Sequence, residues 1–198
     1  MSEPEKTEPG GPRIPIRQLD PRSLRGLAHP LRIRLLAALR HHGPATASQL
    51  ADRLGESSGA TSYHLRQLAS HGFVEDAPER GKGRERWWRA VHQGTSWDPS
   101  LFEDEDPGTR GAVNVFLHEI ATLHAQELNT WIGTMRDWPG EWASSADLSD
   151  FTLRLSARQL RELDEKVHAV INGYRDVEPD EDATKVRLHL HAFPQRSD

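Results

Sequence analysis

Two short helical patterns, separated by one tight turn in the first half of the chain, limit its fold more than any other feature. Leu50 and Leu54 lie at helical spacing, and Gly55 is a typical residue for ending a helix. Ser57 is a typical N-terminal cap, and a second helical pattern runs from it to about Ser70. About three residues, one of them glycine, therefore separate two helices, which is the spacing of a helix-turn-helix motif.

The segments on either side of this motif extend the prediction to a complete small domain. Asp20-Pro21 and His29-Pro30 each combine a capping side chain with a proline in the first helical turn, so two further helices are predicted before the motif. After the motif come two short runs rich in aromatic and β-branched residues, at 73–77 and 86–91, around a glycine-rich basic tip. The predicted order is helix, helix, turn, helix and a two-stranded wing.

The composition excludes several classes of protein. The 198 residues include no cysteine, which excludes disulfides, thiolate metal sites and a cysteine nucleophile. The apolar runs are far shorter than the ~20 residues that span a bilayer, and residues 1–12 lack the apolar segment of a signal peptide. No phosphate-binding glycine loop and no nucleophile elbow occurs, so we expect neither an enzyme nor a cofactor. We expect a cytoplasmic protein.

Charge is divided unevenly between the two halves of the chain. Residues 1–97 carry 15 Lys and Arg side chains against 10 Asp and Glu, whereas residues 98–198 carry 10 against 20. The net charge of -5 therefore conceals a basic half. A basic surface beside an acidic one suggests that the first binds a polyanion, which the second must avoid.

The second helix of the motif has one face suited to reading DNA. A helical wheel places Thr61, Leu65 and Leu68 on one narrow side, against the other helices. The opposite side is small, hydroxylated and cationic, where a purely structural surface helix typically has Glu and Lys. Small residues allow close approach to the major groove, hydroxyls bond bases or phosphates, and an arginine can form a bidentate contact with guanine. The predicted DNA contacts in this helix and its cap are Ser57, Ser58, Gly59, Ser62, Tyr63 and Arg66.

The tip of the wing concentrates positive charge on a flexible hairpin. Such a cluster favours phosphates or a narrow minor groove, and a solvated hairpin is the alternative. The predicted contacts are Arg80, Lys82, Arg84 and Arg86.

The remaining sequence divides into an arm, a linker and a second domain. We predict a disordered arm over residues 1–18, a winged helix-turn-helix domain over 19–93, an acidic exposed linker over 94–109 and a C-terminal domain over 110–198. The predicted fold class is mainly α, with α+β character. It comprises the winged helix-turn-helix domain, a long dimerisation helix and a small strand-helix-strand unit.

The C-terminal domain opens with an unusually long helical pattern, from Arg110 to Trp138, which corresponds to roughly 43 Å. A second copy of the chain is the predicted partner of this apolar helix, and packing within the same chain is the alternative. Alternating apolar residues then predict strands at 151–155 and near 186–192, with a helix capped by Ser156 between them. The predicted dimerisation residues are Val113, Leu117, Ile120, Leu128 and Trp131.

Three sets of residues leave their role open. His189 and His191 lie on one side of a predicted strand and could bind a metal with a third histidine, although solvent-facing histidines are the commoner case. The candidates for that third ligand are His118, His124 and His168. Trp131, Trp138 and Trp142 could line an apolar effector pocket or belong to a core. His64 lies beside the buried side of its helix, so both a structural role and DNA contact stay open for it.

Four segments together resemble the winged helix-turn-helix regulators of the ArsR type, a family of bacterial arsenical-resistance repressors. They are Leu27 to Leu36, Gln49-Leu50-Ala51, Ser62 to Leu68 with the pattern Ser-Tyr-His-Leu-Arg-Gln-Leu, and His71-Gly72-Phe73-Val74. The resemblance covers roughly residues 20–92, and the Ser-x-His-Leu-Arg-x-Leu stretch is its most specific part.

The resemblance implies a nucleoid-associated homodimeric repressor that binds an inverted repeat in double-stranded DNA. It places Ser57 to Arg66 in successive major grooves and the wings on flanking DNA, and it implies that a ligand relieves repression. Two features depart from the family pattern. The chain has neither the cysteines nor the Asp-x-His arrangement by which family members sense metals, and residues 98–198 are additional to the usual family length.

Two other functions stay open. The winged helix could be a protein-interaction module without specific DNA binding, or the histidines could form a metal sensor. A salt titration of DNA binding separates the first from the DNA-binding regulator, and the metal content of the purified protein tests the second.

Overall fold

A computed structural model of the chain describes residues 16–78 and 85–196. The described residues divide into two units, an N-terminal unit of residues 16–132 and a C-terminal unit of residues 133–196. Helices are the main regular structure of the described chain, which confirms the predicted mainly-α class. Within the described part of the chain, no helix has the length and apolar character needed to cross a membrane.

The N-terminal unit contains the predicted succession of helices. They are α1 (Pro21–Leu27), α2 (Pro30–His42), α3 (Ala47–Leu54), α4 (Ser58–Ser70) and the long helix α5 (Pro107–Thr134), whose last two residues lie beyond the unit's end. The five strands are β1 (Ile16–Gln18), β2 (Ala45–Thr46), β3 (Val74–Asp76), β4 (Trp87–Ala90) and β5 (Gly94–Ser96). A 3-10 turn covers Pro99–Phe102.

Local sequence signals set the ends of these helices. The Asp20 carboxylate accepts the backbone N–H of Ser23 at 2.7 Å, and this hydrogen bond lowers the pKa of Asp20. Thr46 and Gln49 form a reciprocal capping box at the start of α3. Gly55 ends α3 in the left-handed conformation (φ 66°), which a glycine adopts without steric cost. The interval between α3 and α4 is therefore a tight turn, as predicted.

A single hydrophobic core joins α1 to α4, the wing and the first half of α5. Leu35, Leu50, Leu65 and Leu68 are fully buried in it, and Trp88 of β4 is 3% exposed. Burial of apolar surface of this kind is the main favourable term in folding. The core covers one side of α4 and leaves the opposite side uncovered.

Two small sheets flank the helices, and one of them corrects the predicted domain boundaries. In the first sheet β4 lies between β2 and β3, antiparallel to both, with Val74 opposite Ala90. In the second sheet β1 pairs in parallel with β5, with Ile16 opposite Gly94. Residues 16–18 of the predicted disordered arm and residues 94–96 of the predicted exposed linker are thus paired strands. The pairing spans most of the domain, so no local pattern in either segment indicates it.

The first half of α5 belongs to the core of its own chain. Val113 is 1% exposed and Phe116 is 5% exposed, while Leu117 and Ile120 pack against the core as partly buried residues. The first half of α5 therefore packs within its own chain, which was the alternative to packing against a second copy. Leu128 is 37% exposed, and Trp131 is partly buried.

The C-terminal unit consists of two helices and extended chain. After a 3-10 turn over Met135–Asp137 come α6 (Gly140–Ser145) and α7 (Ala157–Gly173), and a further turn covers Tyr174–Asp176. Ser156 caps α7 in a reciprocal capping box with Gln159, as the sequence predicted for the start of this helix. None of the described residues from 133 to 196 is buried.

The structure contradicts the two strands that the sequence predicted on either side of α7. Residues 151–155 and 186–192 are not strands in the structure, and Phe151, Leu153 and Leu188 are 82%, 60% and 66% exposed. Alternation reports which side chains could share a face, but a strand also needs a partner for its backbone N–H and C=O groups. Within the described chain, neither segment belongs to a sheet.

Candidate nucleic-acid interface

Helix α4 is anchored on the side that the helical wheel predicted. Thr61, Leu65 and Leu68 are each 0% exposed, and α4 contacts α2 and α3 along this side. Its N-cap Ser57 accepts the backbone N–H of Ala60 at 3.2 Å. A fully buried side anchors the helix, so the side chains opposite are presented from a rigid support.

The opposite side of α4 carries the predicted DNA contacts. Tyr63 is 53% exposed, Arg66 is exposed and Ser62 is partly buried. Ser57, Ser58 and Gly59 at the start of the helix are exposed as well. The backbone N–H groups of a first helical turn favour an anion such as a phosphate. Five of the six predicted residues are thus exposed, and Ser62 is partly buried.

A cleft of about 180 Å³ separates α4 from the start of α3 and the base of the wing. Ser62 and Arg66 line it from α4, Ser48 from α3, and Glu85 and Arg86 from the wing. Ser48 and Glu85 were not among the predicted site residues. The signal for Ser48 is its place just after the Thr46 cap, because a helix-turn-helix presents the start of its first helix on the same side as the second.

Arg86, a predicted DNA contact, is already held by neighbours in its own chain. Its guanidinium forms a two-bonded ion pair with the carboxylate of Asp76 across the hairpin, with Nη2 donating to Oδ2 at 2.8 Å. The guanidinium also stacks on the ring of Trp88, 4.1 Å from the ring centre. The hydrogen bond from Arg86 lowers the pKa of Asp76 and raises that of Arg86. Arg86 therefore stiffens the base of the wing.

The neighbouring pair on the same strands repeats this arrangement. Arg89 Nε on β4 donates to Glu75 Oε1 on β3 at 2.8 Å. The strands of the wing thus carry cations that are paired with carboxylates of the opposite strand. The predicted contacts Arg80, Lys82 and Arg84 at the tip of the wing lie outside the described residues.

An arginine network ties the turn of the motif to the helices behind it. Arg34 of α2 donates from Nη2 to Glu56 Oε1 at 3.1 Å, and its Nε lies 3.6 Å from Glu119 Oε1 of α5. Glu56 lies in the turn immediately before the Ser57 cap. The position of α4 is therefore linked to α2 and α5 by charge as well as by apolar packing.

His64 packs against a second histidine behind α4. Its ring lies 4.3 Å from that of His29, measured between ring centres. Nδ1 of His29 accepts the backbone N–H of Leu31 and so caps α2, while the buried Nδ1 of His64 has no hydrogen-bond partner. Burial, followed by the charge of Arg32, lowers the pKa of His29; burial, then the neighbouring His29, lowers that of His64. The structure places His64 in a structural position between helices.

The other candidate ligand groups are not gathered into a site. Within the described residues, no three His, Asp or Glu side chains are grouped so as to hold a metal ion. The rings of His189 and His191 lie 6.3 Å apart. Trp138 and Trp142 meet edge to face at 6.2 Å, and Trp138 is 40% exposed.

Helices α1 to α4 with the β3–β4 wing define a winged helix-turn-helix domain, which is a DNA-binding module of transcriptional regulators. The buried and exposed sides of α4 agree with this class, since the recognition helix of such a domain presents one polar side to the major groove.

Comparison with protein families supports this classification. Residues 27–77, about a quarter of the chain, match the model of a family described as a helix-turn-helix domain. The match confirms the predicted helix-turn-helix domain, within the segment that resembles ArsR-type regulators. No characterised protein sequence matches the chain significantly.

Two solved structures are similar to parts of the chain. One is described as an ArsR family transcriptional regulator, with 23% identity, a TM-score of 0.30 and coverage of 55% of this chain and 96% of that one. The other is RV1404 from Mycobacterium tuberculosis, with 17% identity, a TM-score of 0.31 and coverage of 80% and 84%.

Proposed function

We propose that this protein is a homodimeric, sequence-specific transcriptional repressor that binds an inverted-repeat operator through α4. The observation that carries the proposal is the two-sided character of α4. Thr61, Leu65 and Leu68 are completely buried, whereas Tyr63 and Arg66 are exposed. Arg66 also lines a cleft that reaches the wing. Serines, a tyrosine and an arginine on a rigid exposed helix match the hydrogen-bonding edges of bases and phosphates.

The proposed roles differ between the helix and the wing. Ser58, Ser62, Tyr63 and Arg66 approach bases, while Ser57 and Gly59 sit close to the backbone at the helix start. Arg80, Lys82 and Arg84 contact phosphates or the minor groove. Arg86 adds a phosphate contact only if it exchanges Asp76 for DNA, because its guanidinium is engaged in that ion pair.

Dimerisation is supported by apolar surface that the single chain leaves uncovered. In the second half of α5, Leu128 is 37% and Ile132 is 47% exposed. In the C-terminal unit Leu188 and Phe193 are 66% and 70% exposed. Exposed apolar side chains in this number indicate a protein interface. An operator with two-fold symmetry is bound by two recognition helices, one from each copy of the chain. A dimer that covers two successive major grooves excludes other proteins from the same DNA, and repression is the proposed consequence.

The decisive experiment measures binding of the full chain to DNA by fluorescence anisotropy, after selection of the preferred sequence from a random library. We expect Arg66→Ala to weaken binding to the selected site by about 1–3 kcal/mol and to affect random DNA less. Arg66→Lys retains the charge but loses the planar fork, so it should keep binding to random DNA and lose preference at one base position. Arg161→Ala on the exposed surface of α7 is the control.

Two outcomes contradict the proposal. Equal losses on selected and random DNA for Arg66→Ala would remove its role in reading bases. Absence of DNA binding at low salt would instead favour a protein-interaction module. Lys82→Ala should weaken binding to all sequences alike. It should also reduce the slope of log K against log salt concentration by about one.

A separate experiment tests whether the protein represses or activates transcription. Deletion of the gene should raise transcription from the promoter that contains the selected site. A fall in transcription would show an activator and leave the DNA-binding role intact.

A further inference from the structure

A small cavity lies where α2 meets α5. Its volume is about 30 Å³, room for roughly two water-sized groups. Apolar side chains form most of its wall, among them Ile33, Leu36 and Ala37 of α2 and Phe116 and Ile120 of α5. The polar residues that line it are Arg40 and Thr95. The cavity lies entirely within the N-terminal unit.

The guanidinium of Arg40 is incompletely satisfied at this position. Its Nε donates to the backbone carbonyl of His92 at 2.8 Å, which fixes the plane of the group. Its Nη2 is buried and has no hydrogen-bond partner. A buried N–H donor without a partner is costly, and more so when the group carries a charge.

No counter-ion for this cation is present among the residues that the structure describes. Arg25, Arg34, Arg86 and Arg89 each lie within ion-pair distance of a carboxylate, whereas Arg40 does not. Burial lowers the pKa of Arg40 to about 10, so the side chain is still charged at neutral pH. An unpaired cation beside an apolar cavity attracts an anion more strongly than a water molecule, because the low local dielectric strengthens the attraction.

We propose that the cavity between α2 and α5 binds a small monovalent anion that pairs with Nη2 of Arg40. The volume limits the ligand to a very small anion such as chloride or formate. The guanidinium supplies directed N–H donors, and the apolar wall excludes hydrated and multiply charged anions. The bound anion joins α2 to α5 and so stabilises the N-terminal unit. This site does not depend on the proposed DNA-binding function.

The test measures thermal unfolding of the full chain at constant ionic strength. Sodium gluconate is the reference salt, because its anion is too large for the cavity, and chloride and formate replace it in separate titrations. We expect a saturable rise in Tm of about 2–4 °C in the anion that binds. Broadening of the ³⁵Cl resonance on addition of protein, reversed by formate, identifies the two anions as competitors for one site.

Two variants locate the effect. Arg40→Met removes the charge at similar length, so the rise in Tm above gluconate should disappear. Ala37→Leu fills the cavity while Arg40 is retained, and it should also abolish the response, which keeps the proposal testable even if Arg40→Met does not fold. Arg53→Met, an exposed arginine at the end of α3, is the matched control and should retain the full response.

The proposal is overturned if Tm is the same in gluconate, chloride and formate at equal ionic strength, since water then fills the cavity. It is also overturned if Ala37→Leu retains the saturable response, since the anion then binds elsewhere.

Discussion

Leu65 of α4 is fully buried, whereas Val170 of α7 is 64% exposed, although each lies on the apolar side of an amphipathic helix. The contrast extends over the two units. The N-terminal unit has a core of buried residues from every one of its helices, and the C-terminal unit has no buried residue among those described. An apolar stripe thus stabilises a fold only when another element of the same chain, or of a partner, covers it. The C-terminal unit carries the pattern of a core without the elements that close one.

The largest expected effect tests this contrast directly. Leu65→Ala should lower the free energy of unfolding by about 2–5 kcal/mol, because it leaves a cavity among packed neighbours. Val170→Ala, measured at protein concentrations where the chain is monomeric, should change it by less than about 0.5 kcal/mol. Urea unfolding followed by circular dichroism provides both values. Similar losses for the two variants would show that the C-terminal unit has a core of its own.

A second experiment asks whether a second chain covers the C-terminal unit. Under the proposed dimerisation, Leu188→Asp introduces a charge into the uncovered apolar surface and should weaken self-association by about tenfold or more, which corresponds to about 1.4 kcal/mol. Ala183→Asp in the nearby loop is the control with the same charge change. Sedimentation equilibrium measures both constants. An unchanged dimer in Leu188→Asp would leave α5 as the remaining candidate interface.

The pH dependence of stability should arise in the N-terminal unit. The pKa values of His29 and His64 are lowered by burial, so the unfolded chain binds these protons more readily than the folded one. The stability that the neutral forms of these two histidines contribute is therefore fully present above about pH 7. It falls as the pH drops through the ordinary histidine pKa of 6.5. The groups that face the pair are Arg32, Arg34, Glu56, Tyr63 and Glu119.

His64→Gln should flatten this dependence between pH 7 and pH 5. His118→Gln, on an exposed position of α5, is the control and should leave the slope as it is. Urea unfolding at a series of pH values measures the slope. A slope that persists in His64→Gln with the same magnitude would assign the protons to other groups.

The smallest expected effects on the free energy of unfolding come from removing one exposed ion pair in each unit. They should be equal in the two units, because exposed ion pairs do not depend on a core. Asp76→Asn removes the partner of Arg86 in the wing, and Glu162→Gln removes the partner of Lys166 in α7, which lies at 2.7 Å. Each should cost at most about 1 kcal/mol of stability, since water screens both pairs. Asp76→Asn should in addition raise affinity for random DNA slightly, because Arg86 becomes available to phosphate. A loss well above 1 kcal/mol in Asp76→Asn would show that stacking on Trp88 depends on the ion pair.

Short-range signals predicted the parts of this fold that depend on neighbours in sequence. The Asp20 cap, the Gly55 helix end and the Ser57 cap act through hydrogen bonds and backbone angles within a few residues. The buried side of α4 follows from helical spacing alone. The candidate DNA-binding surface was predictable for the same reason, because a helix with one buried side exposes the other.

Tertiary structure decided whatever depends on residues distant in sequence. It paired β1 with β5, buried Val113 in the core of its own chain and engaged Arg86 with Asp76 and Trp88. Among the described residues, it also left 151–155 and 186–192 outside both sheets. Periodicity specifies which side of a segment is apolar, but the surface that covers that side is a non-local property, set by how the whole chain packs.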